Sequence, residues 1–191
     1  MFSVCLCARF QSCPQETHLM VVKRIFRYLA YTPLLGLFYS KDSLFNLHPY
    51  SDADYGGCRI DKKCTSGTCQ FLSNSLVSWF SKTQNGVALS TTEVEYVAAG
   101  SCCAQVLWLK QQLHDFGICI DNVCIKCDNT SVINLSKNHV QHFKTKHIEI
   151  RHHILRDHFE KCDILLEYID TLNQVADVFT KPLDNERFSA L

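Results

Sequence analysis

Between Ser12 and Tyr31 the apolar residues recur at helical intervals: Val22, Ile25, Phe26 and Leu29 share one face, while Lys23, Arg24 and Arg27 fall elsewhere. Ser12 is placed to cap this helix, Gln15 completes a capping-box spacing, and Pro14 sits in the first turn, where its missing N–H costs least. Thr32-Pro33 ends it. From about Leu44 the period shortens. Strand-like runs cover Leu47–Asp54, Thr68–Leu72 and Leu76–Lys82, separated by Gly56-Gly57, Gly67 and Ser73-Asn74-Ser75, which predicts an antiparallel meander. A long helix follows from about Thr91, then a buried strand at Val123–Cys127 and a short helix at Ser131–Ser136. A helix over about Ile148–Lys161, a strand at Ile164–Ile169 and a final helix from about Asn173 complete the chain. The order β-β-β-α-β-α-α-β-α implies an α/β fold, a mixed sheet with helices packed on it.

Against this pattern a few acidic residues stand in the wrong places. The long helix opens Ser90-Thr91-Thr92-Glu93, a capping box that employs Glu93. Glu95 has no such employment. From Tyr96 through Leu109 no charged residue occurs, so Glu95 sits in the second turn of a helix that reads as buried all round. A salt bridge or an exposed helix end is the plainer account. Asp128 follows the apolar run Val123–Cys127, at the carboxyl end of a strand, where ligands bind in sheets with parallel strands; an Asp-Asn turn is the alternative. Asp52 and Asp54 share one strand face by their spacing, although Asp54 also suits a turn into Gly56-Gly57. Asp177 lies between apolar helix positions in Val175-Ala176-Asp177-Val178-Phe179, against the alternative of an exposed helix face. Carboxylates converging in an apolar site raise one another's pKa unless a countercharge is present. Hard divalent cations supply it through oxygen ligands, and a pair of them suits in-line phosphoryl displacement.

Composition narrows the class. In 191 residues, 47% hydrophobic and 20% charged content excludes wholesale disorder. No apolar run approaches the about 18–20 residues of a membrane span, and the N-terminus, with Arg9 and no small-residue cleavage site, does not read as a signal peptide. No membrane partner and an intracellular setting, cytoplasmic or nuclear, are expected. The 12 cysteines are irregularly spaced and several lie in apolar runs, as reduced buried thiols do. Cys124-Ile125-Lys126-Cys127 is a CxxC without a second pair to complete a zinc site. Among 9 histidines, only His158 has a helically spaced companion ligand, Cys162, and two ligands do not make a site. The formal net charge is +0, so a nucleic-acid role must rest on local chemistry rather than on a basic surface.

Six segments in order carry a resemblance: Ser51-Asp52-Ala53-Asp54, Lys63-Cys64-Thr65-Ser66-Gly67, Ser90-Thr91-Thr92-Glu93-Val94-Glu95-Tyr96, Cys127-Asp128-Asn129, Thr145-Lys146-His147-Ile148, and Ala176-Asp177-Val178-Phe179-Thr180-Lys181-Pro182-Leu183. Together they resemble the ribonuclease H domain of copia-type retrotransposon Pol polyproteins, over residues 47–184. Residues 1–46, with Cys7-Ala8-Arg9-Phe10 and Val22-Lys23-Arg24-Ile25-Phe26-Arg27-Tyr28-Leu29, resemble the end of a reverse transcriptase, and 185–191 are left as a tail. The resemblance implies the ribonuclease H-like fold, a five-stranded mixed sheet with flanking helices. It implies Asp52, Glu95, Asp128 and Asp177 as catalytic metal ligands for two ions, Mg²⁺ or Mn²⁺, with Asp54 the less favoured partner of the strand pair. The implied substrate is the RNA strand of an RNA–DNA hybrid, told from DNA by its 2′-OH, and cut to leave a 3′-hydroxyl and a 5′-phosphate. Lys63, Thr65, Ser66, Asn129, Lys146 and His147 are the implied nucleic-acid contacts, and the reverse transcriptase portion of the polyprotein is the implied partner.

The chain departs from the pattern in three places. The loop before the last carboxylate, Asp170-Thr171-Leu172-Asn173, has no histidine; Cys64 stands where the family has Ser; and no Tyr-x-Asp-Asp polymerase motif is present, as in a truncated element copy. Two other readings stand beside the hydrolase: an inactive retrotransposon remnant that at most binds duplex, and a zinc module built on Cys124 and Cys127.

Overall fold

The computed structural model describes residues 1–41, 45–57, 62–137 and 154–191. Strands β1 (Leu47–Asp54), β2 (Thr65–Leu72) and β3 (Ser75–Thr83) form the expected meander, β1–β2 and β2–β3 both antiparallel. After α3 (Thr91–Asp115) comes β4 (Val123–Cys127), laid parallel to β1 with Tyr50 opposite Lys126. Helices α4 (Thr130–Lys137) and α5 (Ile154–Glu160) precede β5 (Ile164–Tyr168), which pairs parallel with β4. The sheet has five strands in the order β3-β2-β1-β4-β5. The antiparallel pair β2–β3 is joined by a two-residue turn at Ser73-Asn74, whereas each parallel pair is joined through helices, as the reach of the chain requires.

One face of the sheet carries the main core. Tyr96, Ala99, Cys102, Cys103 and Val106 of α3 pack with Val123, Ile125, Cys127, Val132, Leu155 and Ile164. Burial of each branched aliphatic there contributes about 1.5–3 kcal/mol relative to exposure. The expectation that α3 is buried all round fails in its second half. Trp108 is 55% exposed while its neighbours Val106, Leu107 and Leu109 pack on the core, so one side of the helix faces outward there. On the other face, Cys69 meets Ala176 and Phe179 with Tyr50 and Phe71 around them.

Two further expectations are corrected. The N-terminal helix starts later than Ser12: α1 (Phe2–Ala8) comes first, and α2 spans Glu16–Tyr31. Gln15 and His18 make the capping box of α2, and Pro14 lies ahead of it. The apolar face of α2 is not buried, with Phe26 67% and Leu29 57% exposed. At the other end, the single helix from Asn173 is three pieces: a 3₁₀ turn at Thr171–Asn173, α6 (Asp177–Thr180) and α7 (Asn185–Ala190). Gln174 causes the first break, since its buried amide donates to Ser51 O at 2.9 Å and its carbonyl accepts from Ala176 N–H, tying extended chain to β1. Pro182 causes the second by holding Lys181 in an extended conformation. The helix expected over about Ile148–Lys161 is present from Ile154; its earlier part lies outside the described residues.

Gly67 on β2, opposite Asp52, is what lets α6 lie against the sheet. A Cβ there would stand 2.6 Å from Thr180 Cγ2 and 2.9 Å from Phe179 Cβ. Gly67→Ala is therefore expected to cost about 1–3 kcal/mol by overpacking, read as a lower urea midpoint. Gly86→Ala, where a Cβ would meet nothing within 4 Å, should leave the midpoint nearly unchanged; equal effects of the two would refute the packing argument.

Candidate active site

The carboxyl ends of β1 and β4 lie side by side. Two residues beyond the Tyr50–Lys126 register come Asp52 and Asp128, at the sheet edge where parallel strands present groups to a ligand. Asp52 is buried, accepts a hydrogen bond from the Thr180 hydroxyl, and lies 3.8 Å from Lys181 Nζ. Asp177 opens α6 and is also buried. It pairs with Lys181 at 2.8 Å and with Arg187 of α7 at 3.4 Å. Lys181 is four residues after Asp177, the spacing that stacks side chains on one helical face.

Glu95 approaches from the opposite layer. The second turn of α3 sets it over β1, where one oxygen accepts the Ala53 N–H at 3.2 Å. Its other oxygen, Oε2, is buried with no hydrogen-bond partner among the described residues. Glu93 is used at the helix start: Ser90 Oγ accepts from Glu93 N–H at 3.2 Å, and Glu93 Oε2 accepts from Leu89 N–H at 2.7 Å. Asp128 is half-buried and accepts from the Thr171 hydroxyl at 2.9 Å. A carboxylate oxygen of Glu95, one of Asp128 and the Cys127 Sγ lie within 4.8 Å of one another.

The electrostatics follow from this crowding. Burial pushes the Glu95 carboxyl up to about 9, and Asp52 and Asp128 push the same way against the Ala53 N–H and Lys181. Asp52 is raised to about 7, by burial first; Lys181 and the Thr180 hydroxyl oppose this, while Asp177 and Asp128 add to it. Burial also raises Asp54, the half-buried neighbour on the same strand face. Burial alone would lower Lys181, but Asp52 and Asp177 outweigh it and hold the ammonium above its ordinary value. The four carboxylates are hard oxygen donors, and one of their buried atoms, Glu95 Oε2, has no hydrogen-bond partner among the described residues. This donor set fits a divalent cation of the magnesium kind, which takes oxygen ligands and would let the acids ionise together.

The structure thus brings Asp52, Glu95, Asp128 and Asp177 to one place, with Asp54 at its edge. Of the nucleic-acid contacts expected, Lys63 is exposed ahead of β2. Thr65 and Ser66 are buried, their hydroxyls accepting from Arg9 at 2.9 Å and Gln84 at 2.8 Å. The Asn129 side chain accepts from Ser131 N–H at 3.0 Å, at the start of α4. Lys146 and His147 lie outside the described residues. Sequence reasoning assigned no role to Thr171, Thr180, Lys181 or Arg187. Only Lys181 had a signal, its i+4 spacing from Asp177; the others depend on how the broken C-terminal helix docks.

A sheet of this order with helices on both faces is the ribonuclease H-like fold. LC11 ribonuclease H1, solved in complex with an RNA/DNA hybrid, matches 71% of this chain and 94% of its own with a TM-score of 0.53 and 12% sequence identity, a likeness that speaks for the fold. No protein-family model matches the chain. Over 182 residues, 95% of the chain, it is 37% identical to the retrovirus-related Pol polyprotein from transposon RE1 of Arabidopsis thaliana. It is also 37% identical over 182 residues to that from transposon TNT 1-94 of Nicotiana tabacum. The chain belongs to the copia-type, retrovirus-related Pol polyproteins, and its fold is ribonuclease H-like. It spans only 12% and 14% of the length of these two relatives.

The raised carboxyl groups fix a pH trend for the metal-free protein. Unfolded, Glu95 ionises near 4.5; folded, it keeps its proton until about 9. The folded state binds more protons across that window, so stability falls as pH rises through it, and Asp52 adds the same sign between 3.8 and about 7. In EDTA the melting temperature is expected to drop steadily from pH 5 towards pH 9. Glu95→Gln should flatten that slope and melt a few degrees higher at the alkaline end, on the order of 2–4 °C per kcal/mol. A wild-type melting curve that rises over this range would contradict the buried, protonated Glu95.

Proposed function

We propose that this domain is a metal-dependent endoribonuclease that cleaves the RNA strand of RNA–DNA hybrids. The observation that carries the proposal is the meeting of Asp52, Glu95, Asp128 and Asp177 from β1, α3, the end of β4 and α6, each close enough to perturb another. Those residues would hold two divalent ions, Mg²⁺ with Mn²⁺ as a substitute. Bound there, such ions supply countercharge for the carboxylates and the scissile phosphate and turn a water into a nucleophile.

The chain's own residues do the rest. Thr180 fixes the Asp52 carboxylate through its hydroxyl, and Lys181 holds Asp52 and Asp177 at 3.8 and 2.8 Å from one ammonium. Thr171 fixes Asp128 from the exposed side. Lys63, exposed ahead of β2, is the proposed phosphate contact among the described residues. Displacement at phosphorus breaks the P–O3′ bond, leaving a 3′-hydroxyl and a 5′-phosphate. The hybrid as substrate gains support from the LC11 ribonuclease H1 complex of the same fold. The larger Pol context makes the polymerase portion the proposed partner that holds the duplex.

Labelled hybrid incubated with Mg²⁺ or Mn²⁺ should yield 5′-phosphate fragments from the RNA strand only, and EDTA should abolish them. Asp128→Asn and Asp52→Asn are each expected to lower the rate on the order of 10²–10³-fold, as removal of one preorganised electrostatic group does. Cleavage that survives EDTA or Asp128→Asn would overturn the assignment. Hybrid binding without any cleavage would establish the inactive remnant in its place.

A further inference from the structure

The CxxC of β4 does not make a paired-thiol site. Residues three apart on a strand face opposite sides, and Cys127 is fully buried while Cys124 is half-buried. Cys127 has different company. Its Sγ, a Glu95 oxygen and an Asp128 oxygen lie within 4.8 Å of one another. Glu95, only 7% exposed, has one buried oxygen, Oε2, with no hydrogen-bond partner among the described residues. The sulfur is held by long contacts to Asn129, accepting its N–H at 3.5 Å and donating to its carbonyl at 4.0 Å. Lys181 neutralises the other side of the pocket, at Asp177 and Asp52.

We propose that Cys127 gives this pocket a second metal-binding mode, in which a thiophilic divalent cation such as Zn²⁺ or Cd²⁺ sits on the Cys127 sulfur and the Glu95 and Asp128 carboxylates. Zinc takes thiolate sulfur at about 2.3 Å and carboxylate oxygen at about 2.0–2.2 Å, which puts its ligand atoms roughly 3–4 Å apart. The three ligand atoms, now within 4.8 Å of one another, would have to close up to that spacing around the ion. Magnesium gains nothing from sulfur, because it demands oxygen donors. On binding, the Cys127 S–H bond and the Glu95 O–H bond give way to bonds to the metal, and both protons leave to solvent. The two ion classes then compete for Glu95 and Asp128, so a thiophilic ion occupies the ligands that the proposed hydrolase requires. Binding stands on the cluster alone, whereas inhibition rests on the function proposed above.

Reduced, metal-stripped protein titrated with Cd²⁺ tests this through sulfur-to-cadmium charge-transfer absorbance. A tight component of about one equivalent is expected. It should vanish in Cys127→Ser and weaken roughly 10-fold or more in Asp128→Asn and in Glu95→Gln, the scale of a lost metal partner. A tight component untouched by Cys127→Ser, or lost there but indifferent to both carboxylate variants, would overturn the site. Circular dichroism checks each variant's fold, and Cys127→Ala replaces Cys127→Ser should the latter unfold. Where hybrid cleavage is measured, the Zn²⁺ concentration that halves each protein's own Mg²⁺-supported rate should rise roughly 10-fold in Cys127→Ser. A Cys127-dependent cadmium band without any cleavage sinks the hydrolase reading alone; cleavage without that band sinks the thiophilic site alone.

Discussion

Everything around the site depends on how buried carboxylates are tolerated beside one another. An ionised acid removed from water costs several kcal/mol unless paired, and this pocket buries Asp52, Glu95 and Asp177 together. Two different solutions coexist. On the α6 face, Lys181 and Arg187 bring positive charge to Asp177, and Lys181 extends to Asp52. On the α3 face, Glu95 has one backbone N–H and the distant influence of Lys181, so its proton is retained well above the usual range. The pocket is charge-balanced on one side and short of positive charge on the other. That asymmetry makes the α3 side the place where an added cation gains most.

The balanced side is built from backbone constraints rather than from propensity. Gly67 removes the side chain that would hold α6 away from β2, and Gln174 ties the chain before α6 to Ser51. Pro182 then ends α6 with Lys181 extended, which aims its ammonium back across Asp177. Arg187 adds a clamp from α7, donating to the carbonyls of Thr171 and Leu172 and reaching Asp177. Because the Thr171 hydroxyl holds Asp128, the clamp links the carboxylates of α6 and β4 through the histidine-free loop. A threonine hydroxyl and a guanidinium stand here, around a loop whose composition alone suggested only that something was lacking.

Periodicity made the sheet readable: β4 at Val123–Cys127 matches the expected strand, and β1 at Leu47–Asp54 does likewise. The acids were readable by misplacement. Glu95 lies in an uncharged helix stretch, and the capping box freed it from the role that Glu93 fills. The breaks after Asn173 were not readable, because they come from a buried glutamine's bond to a strand 123 residues away and from close packing at Gly67. Local sequence carries neither. Thr65 and Ser66 show the opposite error: polar residues that suggest a surface are buried by Arg9 and Gln84 from outside their own strand.

Those long separations also bear on how the site comes into being. The Thr180–Asp52 bond closes 128 residues of chain, and the Gln174–Ser51 bond closes 123. Contacts of such span form late, since the loop entropy must be met before they stabilise anything. α6, with 4 residues, has no independent helical stability and exists because its docking surface already does. The sheet with α3, α4 and α5 holds the larger apolar core and can present Asp52, Glu95 and Asp128 before α6 arrives. Docking of α6 then delivers Asp177 and Lys181 in one step, a carboxylate together with its countercharge. The last element to join is therefore close to neutral in charge. Three of its four residues, Asp177, Phe179 and Thr180, are buried, so undocking α6 would expose the smaller core around Cys69 along with the pocket and leave the larger core in place.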